Sequence, residues 1–368
     1  MHIFVTGGAG FIGYNAVSRL LAAGHAVTVL DNLSRRGART NLAALQAAGL
    51  GRFIECDVRD SAALTAALRE AGKIDAVLHL AAQVAVTTSV VNPREDFDIN
   101  ARGTFNLLEA VRSTGQKPLV IFASTNKVYG GMEDVRIVTA PCICADESAG
   151  RYYYADLPEG VAEDRLLDFH SPYGCSKGAA DQYVRDYARI YDLPTVVFRQ
   201  SCIYGPRQFG IEDQGWVAWF AISAVLGKPI RIFGDGKQVR DLLHVDDLVS
   251  IYQKACEDPA RVAGKIFNVG GGASRSRSIL GLVRFLERHT GAPIPVSFHD
   301  WRPGDQPVYV SDIGKAVREL AWQPRFDVEE GVATLVDWVE ANRELVCREL
   351  GPLLDEGAVS SPAERRGN

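Results

Sequence analysis

Thr6-Gly7-Gly8-Ala9-Gly10-Phe11-Ile12-Gly13 follows an apolar run, His2–Val5, and opens a helical pattern; this stretch decides the fold. Gly7 and Gly10 let the backbone turn tightly and approach a pyrophosphate, and Gly13 lets helix and strand pack closely. The free N–H groups of the helix start face the anion. Glycines also make plain turns, so context carries the assignment. A second apolar run, Ala26–Leu30, leads into Asp31, eighteen residues past Gly13. A carboxylate there accepts hydrogen bonds from the adenosine ribose hydroxyls and repels a 2′-phosphate, favouring NAD over NADP despite Arg35 and Arg36 nearby. Asp57-Val58, after the third run, is placed to contact the adenine, although Asp57 equally suits a helix cap.

Further apolar runs occur at Phe53–Cys56, Ala76–Leu80, Leu119–Ala123 and Thr195–Phe198. Between the runs lie helical patterns such as Tyr14–Ala23, ended by Gly24, and Ser61–Ala71, ended by Gly72, with Ser61 as the expected N-cap. Strands that are apolar almost throughout indicate a parallel sheet buried on both faces. The rhythm predicts an α/β, doubly wound parallel sheet of the Rossmann type over residues 1–202. An insertion at about 131–171 carries three consecutive tyrosines and no clear period. Beyond Phe209 a tryptophan-bearing helix and short strands at Ile230–Phe233 and Lys265–Val269 predict a smaller, interleaved C-terminal substrate lobe over 203–350. Residues 351–368 read as a frayed tail.

Composition narrows the function classes. With 47% hydrophobic and 23% charged residues in 368, the chain suits one large domain or two fused ones. Forty basic against forty-five acidic residues leave no basic excess for a nucleic acid or anionic membrane partner. The seven cysteines are odd in number and scattered, and only Cys142 and Cys144 are close, with no second cluster to complete a zinc site. Reduced thiols and no metal are expected. With no signal peptide before the first strand and no apolar run of membrane length, a cytoplasmic protein is expected.

Tyr173-Gly174-Cys175-Ser176-Lys177 sets a tyrosine and a lysine four apart in a helical run, on one helix face. A phenol with a pKa near ~10 is a poor base at neutral pH. A nearby ammonium and a positive nicotinamide both favour the phenolate, so a lowered Tyr173 pKa is expected. Such a phenolate can take a proton from a substrate hydroxyl as hydride leaves the same carbon for NAD.

Thr6–Gly13, Asp31, Ala123-Ser124-Thr125-Asn126-Lys127-Val128-Tyr129-Gly130, Tyr173–Lys177 and Arg240-Asp241-Leu242-Leu243-His244-Val245-Asp246-Asp247 together resemble the extended short-chain dehydrogenase/reductases that act on nucleotide-sugars. The resemblance spans roughly residues 1–345, with its motifs in the family order. It implies Thr125 as the hydroxyl that bonds the reacting sugar oxygen, Tyr173 as base and acid, and Lys177 as the residue orienting the nicotinamide ribose. The 4,6-dehydratases of this family carry an Asp-Glu pair after the threonine; Asn126 and Lys127 stand there instead, which disfavours dehydration. Finer wording, from Ser124–Gly130, Phe169–Gly178 and Arg199-Gln200-Ser201 to Asp213-Gln214-Gly215-Trp216, resembles the CDP-paratose (CDP-tyvelose) 2-epimerases. That likeness implies oxidation at C2 of a CDP-dideoxyhexose and reduction from the opposite face.

The expected cofactor pocket further includes Phe11, Ile12, Asn32, Leu80, Ala81, Ala82 and Asn100. The expected substrate contacts are Gln83, Thr125, Asn126, Gln200, Cys202, Arg207, Arg240 and Arg302, with Thr87, Thr88 and Gln208 as further candidates. Arg240 and Arg302 match family motifs and suit a diphosphate, which a guanidinium binds bidentately. Cys202 is equally a small buried core residue. By analogy with relatives, a homodimer is expected through helices at about Pro93–Ser113 and Tyr173–Tyr191. The rival readings are a UDP-hexose 4-epimerase, a UDP-sugar decarboxylase, a non-catalytic NAD-binding regulator and an oxidoreductase that releases NADH.

Overall fold

A computed structural model describes residues 1–140, 150–302 and 304–355. Seven parallel strands form the central sheet in the order Lys265–Val269, Thr195–Gln200, Leu119–Thr125, Ala76–His79, His2–Thr6, Ala26–Asp31, Arg52–Glu55. The order reverses at His2–Thr6, so the loops leaving Thr6 and His79 diverge to opposite faces. A crevice therefore opens at the carboxyl ends of these two strands, where ligands bind in open sheets of this kind.

Successive residues in each strand feed two different cores. Phe4, Leu30, Val77 and Val120 pack on one face, and Val5, Val29, Leu78 and Ile121 on the other. This two-sided burial is why the strands read as continuous apolar runs rather than alternating ones.

Lys265–Val269 does not belong to the second lobe, contrary to the sequence expectation; it is the edge strand beside Thr195–Gln200. Its residues follow the sheet's own pattern, with Ile266 on one core face and Phe267 and Val269 on the other. The helix Ser61–Glu70 is capped by Asp60 and not by Ser61: the Asp60 carboxylate accepts from the Ala63 N–H at 2.9 Å. The segment expected to fray begins inside a helix, Arg343–Asp355, whose Leu350 and Leu354 are buried. Residues 356–368 and the Cys142–Cys144 pair lie outside the described residues.

The insertion is structured where described. Ile137–Ala140 pairs antiparallel with Arg151–Tyr154, and the tyrosines dock the hairpin onto the C-terminal lobe. Tyr152 Oη donates to Asp235 Oδ2 at 2.6 Å, and Tyr154 Oη donates to the Val308 carbonyl at 2.7 Å. In that lobe Val239–Asp241 lies between Ser276–Ser278 and Val308–Tyr309, and Ile230–Phe233 pairs with Val296–His299. Trp219, Phe220, Leu282 and Leu335 share its separate core.

Candidate active site

At Gly7 and Gly13 the turn admits nothing larger. Gly7 has φ 69°, and a Cβ there would stand 2.6 Å from Ala81 N; a Cβ on Gly13 would overlap the Gly7 carbonyl oxygen. Helix Phe11–Ala22 starts at Gly10 with no side-chain cap, leaving its first N–H groups, those of Phe11 and Ile12, for a ligand. Across the crevice Leu80 N–H bonds the Thr6 carbonyl at 3.1 Å and Ala81 N–H bonds Thr6 Oγ1 at 3.3 Å, which fixes the Leu80-Ala81-Ala82 wall.

Asp31 is buried, accepting from Ala9 N–H at 3.0 Å and Leu33 N–H at 2.8 Å. Burial raises its pKa, against the pull of these backbone bonds. Asn32 Nδ2 donates to Asp57 Oδ2 at 2.8 Å, and Arg59 grips both Asp57 oxygens and holds that carboxyl at about 2. Asp57 is thus tied to Asn32 and Arg59 and caps no helix, while Val58 is buried against Gly103. A turn closed to Cβ atoms, an uncapped helix start and a carboxylate ending the second strand together fit NAD, which these residues would hold.

Helix Ser171–Tyr191 brings Tyr173 to Thr125 at the end of the third sheet strand, near enough for the threonine to act on the phenol's pKa. Lys177 Nζ donates to the Ala123 carbonyl at 2.6 Å and lies 4.2 Å from the Phe122 ring centre. Burial pushes the phenol up to about 12, partly offset by Thr125, and the charges acting on it are Asp96 and Arg35. Lys177 spends its ammonium on a backbone carbonyl, and burial pushes it down to about 7.

The candidate substrate residues divide by what their side chains already hold. Gln83 donates to Ala85 O and Asp96 Oδ1, Asn100 donates to Gln83 O and Ser176 Oγ, and Gln200 donates to Tyr252 Oη. These three amides brace the walls. Thr87 Oγ1, by contrast, is buried with no partner, while Thr88 is exposed. Cys202 has φ 34° and accepts from Trp216 Nε1 at 3.5 Å, and burial pushes its thiol up to about 11. Arg207 stacks on Tyr14, 4.7 Å from the ring centre. Arg240 is buried and donates to Asp305 Oδ1 at 2.6 Å. Arg302 pairs with Asp213 Oδ1 at 2.9 Å and stacks 3.8 Å from the Phe233 ring centre. Asn126 is buried and accepts from Thr125 Oγ1 at 3.3 Å.

Residues 3–270 match the model of the NAD dependent epimerase/dehydratase family. The chain belongs to that family. Its cofactor is NAD. It is 44% identical to the CDP-paratose 2-epimerase of Salmonella typhi over 346 residues, covering 93% of this chain and all of that one. It is 36% identical to the UDP-glucose 4-epimerase of Mycolicibacterium smegmatis, covering 92% of this chain and 98% of the relative. Among solved structures it is similar to the Thermus thermophilus UDP-glucose 4-epimerase complexed with NAD, with a TM-score of 0.78 and 32% identity over 92% of this chain and 98% of that one.

Motif reading missed the supports beneath this family's tyrosine and lysine. Asp181, four residues past Lys177, accepts from Ser124 Oγ at 2.7 Å and pairs with Arg199, tying the helix to the strand that carries Thr125. Asp96 accepts from Gln83, Asn100 and Ser176, joining the wall to the same helix. The one available signal was helical spacing, since Asp181 falls on the face that already carries Tyr173 and Lys177. His244, between Tyr204 and Phe326, caps helix Val245–Glu257 and stands apart from this machinery.

Proposed function

We propose that the chain is an NAD-dependent nucleotide-sugar epimerase, reacting at C2 of a CDP-dideoxyhexose such as CDP-paratose or CDP-tyvelose. One juxtaposition carries the proposal: Tyr173 stands near enough to Thr125 for the threonine to lower its pKa, beside the dinucleotide cradle, while Asn126 and Lys127 stand where a dehydratase needs two carboxyl groups. The 44% identity to a CDP-paratose 2-epimerase supports the carbon and the nucleotide. Retention of Thr125, Tyr173 and Lys177 together speaks against a non-catalytic NAD-binding regulator.

NAD, when bound, supplies a reversible hydride acceptor. Thr125 would hold the reacting oxygen, and Tyr173 would take its proton and later return it. Lys177 would orient the ribose. Arg240 and Arg302 would hold the diphosphate, so that the keto sugar turns over without escaping.

A homodimer and a cytoplasmic location belong to the same proposal. Phe97, Phe105, Tyr183 and Ile190 are 55%, 40%, 49% and 64% exposed on the two expected pairing segments, an apolar face suited to a second copy. The five free cysteines among the described residues suit a reducing compartment. Gel filtration at monomer mass would sink the dimer.

The deciding experiment incubates purified protein with CDP-paratose or CDP-tyvelose in deuterated water, without added NAD, and follows C2 by NMR. Interconversion without deuterium at C2 is expected. Deuterium incorporation would point to carbon deprotonation instead, and turnover of UDP-hexoses alone would favour the 4-epimerase reading.

A further inference from the structure

Lys127 follows Thr125 by two residues on the short turn Asn126–Tyr129, and its backbone N–H donates to Thr125 Oγ1 at 3.3 Å. Its side chain joins the C-terminal lobe, where the ammonium donates to Gln306 Oε1 at 3.2 Å. That acceptor is neutral. The nearby carboxylate, Asp305, is already taken by Arg240 at 2.6 Å and by the Gln306 N–H at 3.1 Å. Burial and the like charge of Arg240 push Lys127 down to about 8, and Cys202 also faces it.

An ammonium carries three donors, and enclosing it beside a guanidinium without a carboxylate of its own is costly. Arg240 has Asp305 for a partner, while the Lys127 ammonium has only the neutral Gln306 side chain, so an anion reaching both would complete it. Arg240 is the candidate diphosphate ligand, while Lys127 is tethered through its own backbone to the threonine at the reacting oxygen. An anion shared by these two side chains would therefore lie within a lysine side chain's reach of the turn that carries that threonine. In a nucleotide-sugar the phosphate hangs from the anomeric carbon, so an oxygen on C2 is its neighbour and an oxygen on C4 lies across the ring.

We propose that Lys127, with Arg240, holds the sugar-side phosphate of a nucleoside diphosphate-sugar, and that this contact sets the carbon next to the anomeric one before Thr125 and Tyr173. The phosphate contact stands on the geometry; the choice of carbon rests on the epimerase reading.

The test is Lys127→Met, compared with wild type by calorimetric titration of CDP, UDP and GDP and of the matching nucleosides. For whichever diphosphate binds wild type most tightly, Kd should rise at least about tenfold, with nucleoside affinity, melting temperature and retained NAD unchanged. Lys127→Arg should restore most of the loss. With CDP-paratose, KM should rise while kcat stays within a few-fold. In wild type the diphosphate affinity should weaken as pH rises through about 8, because the ammonium loses its proton there; of the groups facing it, Arg240, Asp305, Gln306 and Cys202, the thiol is pushed up to about 11 and lies outside that window. Unchanged diphosphate affinity in Lys127→Met overturns the assignment, as does a flat pH profile should that variant fail to fold. Nucleotide binding needs no turnover, so lost affinity in a protein that epimerises nothing upholds Lys127 and removes only the epimerase reading.

Discussion

Arg199 and Asp181 form a two-pronged ion pair, Nε to Oδ2 at 3.0 Å and Nη2 to Oδ1 at 3.1 Å, with side-chain exposures of 2% and 0%. Asp181 also receives Ser124 Oγ, so one carboxylate ties the tyrosine-bearing helix to the strand ending at Thr125. Asp181→Ala would strand a buried guanidinium and should cost about 3–5 kcal/mol. Replacing both partners with apolar residues should cost much less. Urea unfolding of the single and double variants measures the difference; equal losses would show that the pair's own attraction, not the stranded charge, dominates.

Tyr173→Phe removes the proton-transfer group while leaving the ring packed. Turnover should fall by a factor on the order of 10² or more, with melting temperature and NAD content near wild type. Near-normal turnover would overturn Tyr173 as the base.

Lys177 gives a pH signature. Its folded pKa, about 7, lies below its ordinary value of 10.5, so between these limits the unfolded chain binds more protons than the folded one. NAD-free protein should therefore gain stability from this group as pH rises from about 7 toward 10.5, by up to about 1.4 kcal/mol per pH unit. Lys177→Met should flatten that rise in denaturation midpoints, and an unchanged slope would assign it to other groups.

Asp31→Ala should weaken NAD binding at least about tenfold and relax discrimination against NADP, measured by titrating each dinucleotide. The carboxylate also holds the Ala9 and Leu33 N–H groups, so some loss of stability should accompany the change. Unaltered NAD affinity would leave Asp31 only that structural role.

Gly13→Ala meets the Gly7 carbonyl oxygen and the Gly8 backbone, neither of which can swing aside as a flexible side chain does. NAD should be lost on purification even where the protein still folds. Full NAD occupancy in this variant would show that the turn adjusts.

The sheet was legible because its signals are local. Phe4 and Val5, or Val77 and Leu78, face opposite cores, and that two-sided burial writes itself as an unbroken apolar run. Lys265–Val269 shows the same pattern, but its place beside Thr195–Gln200 depends on a strand nearly seventy residues away. Gln83, Asn100 and Gln200 are expected ligand contacts from their sequence positions; packing adds that their side-chain amides also hydrogen-bond neighbouring groups of the wall.

The sequence by itself determined the doubly wound fold, the dinucleotide turn, the preference for NAD and the placing of Tyr173 and Lys177 on one helix face, since each is fixed by spacing within one strand, turn or helix. Tertiary structure decided the electrostatics. Burial, not proximity to Lys177, governs the Tyr173 phenol, and Lys127 meets Gln306 across 179 residues of chain. Desolvation and long-range pairing depend on what the whole fold encloses, and no local spacing encodes that.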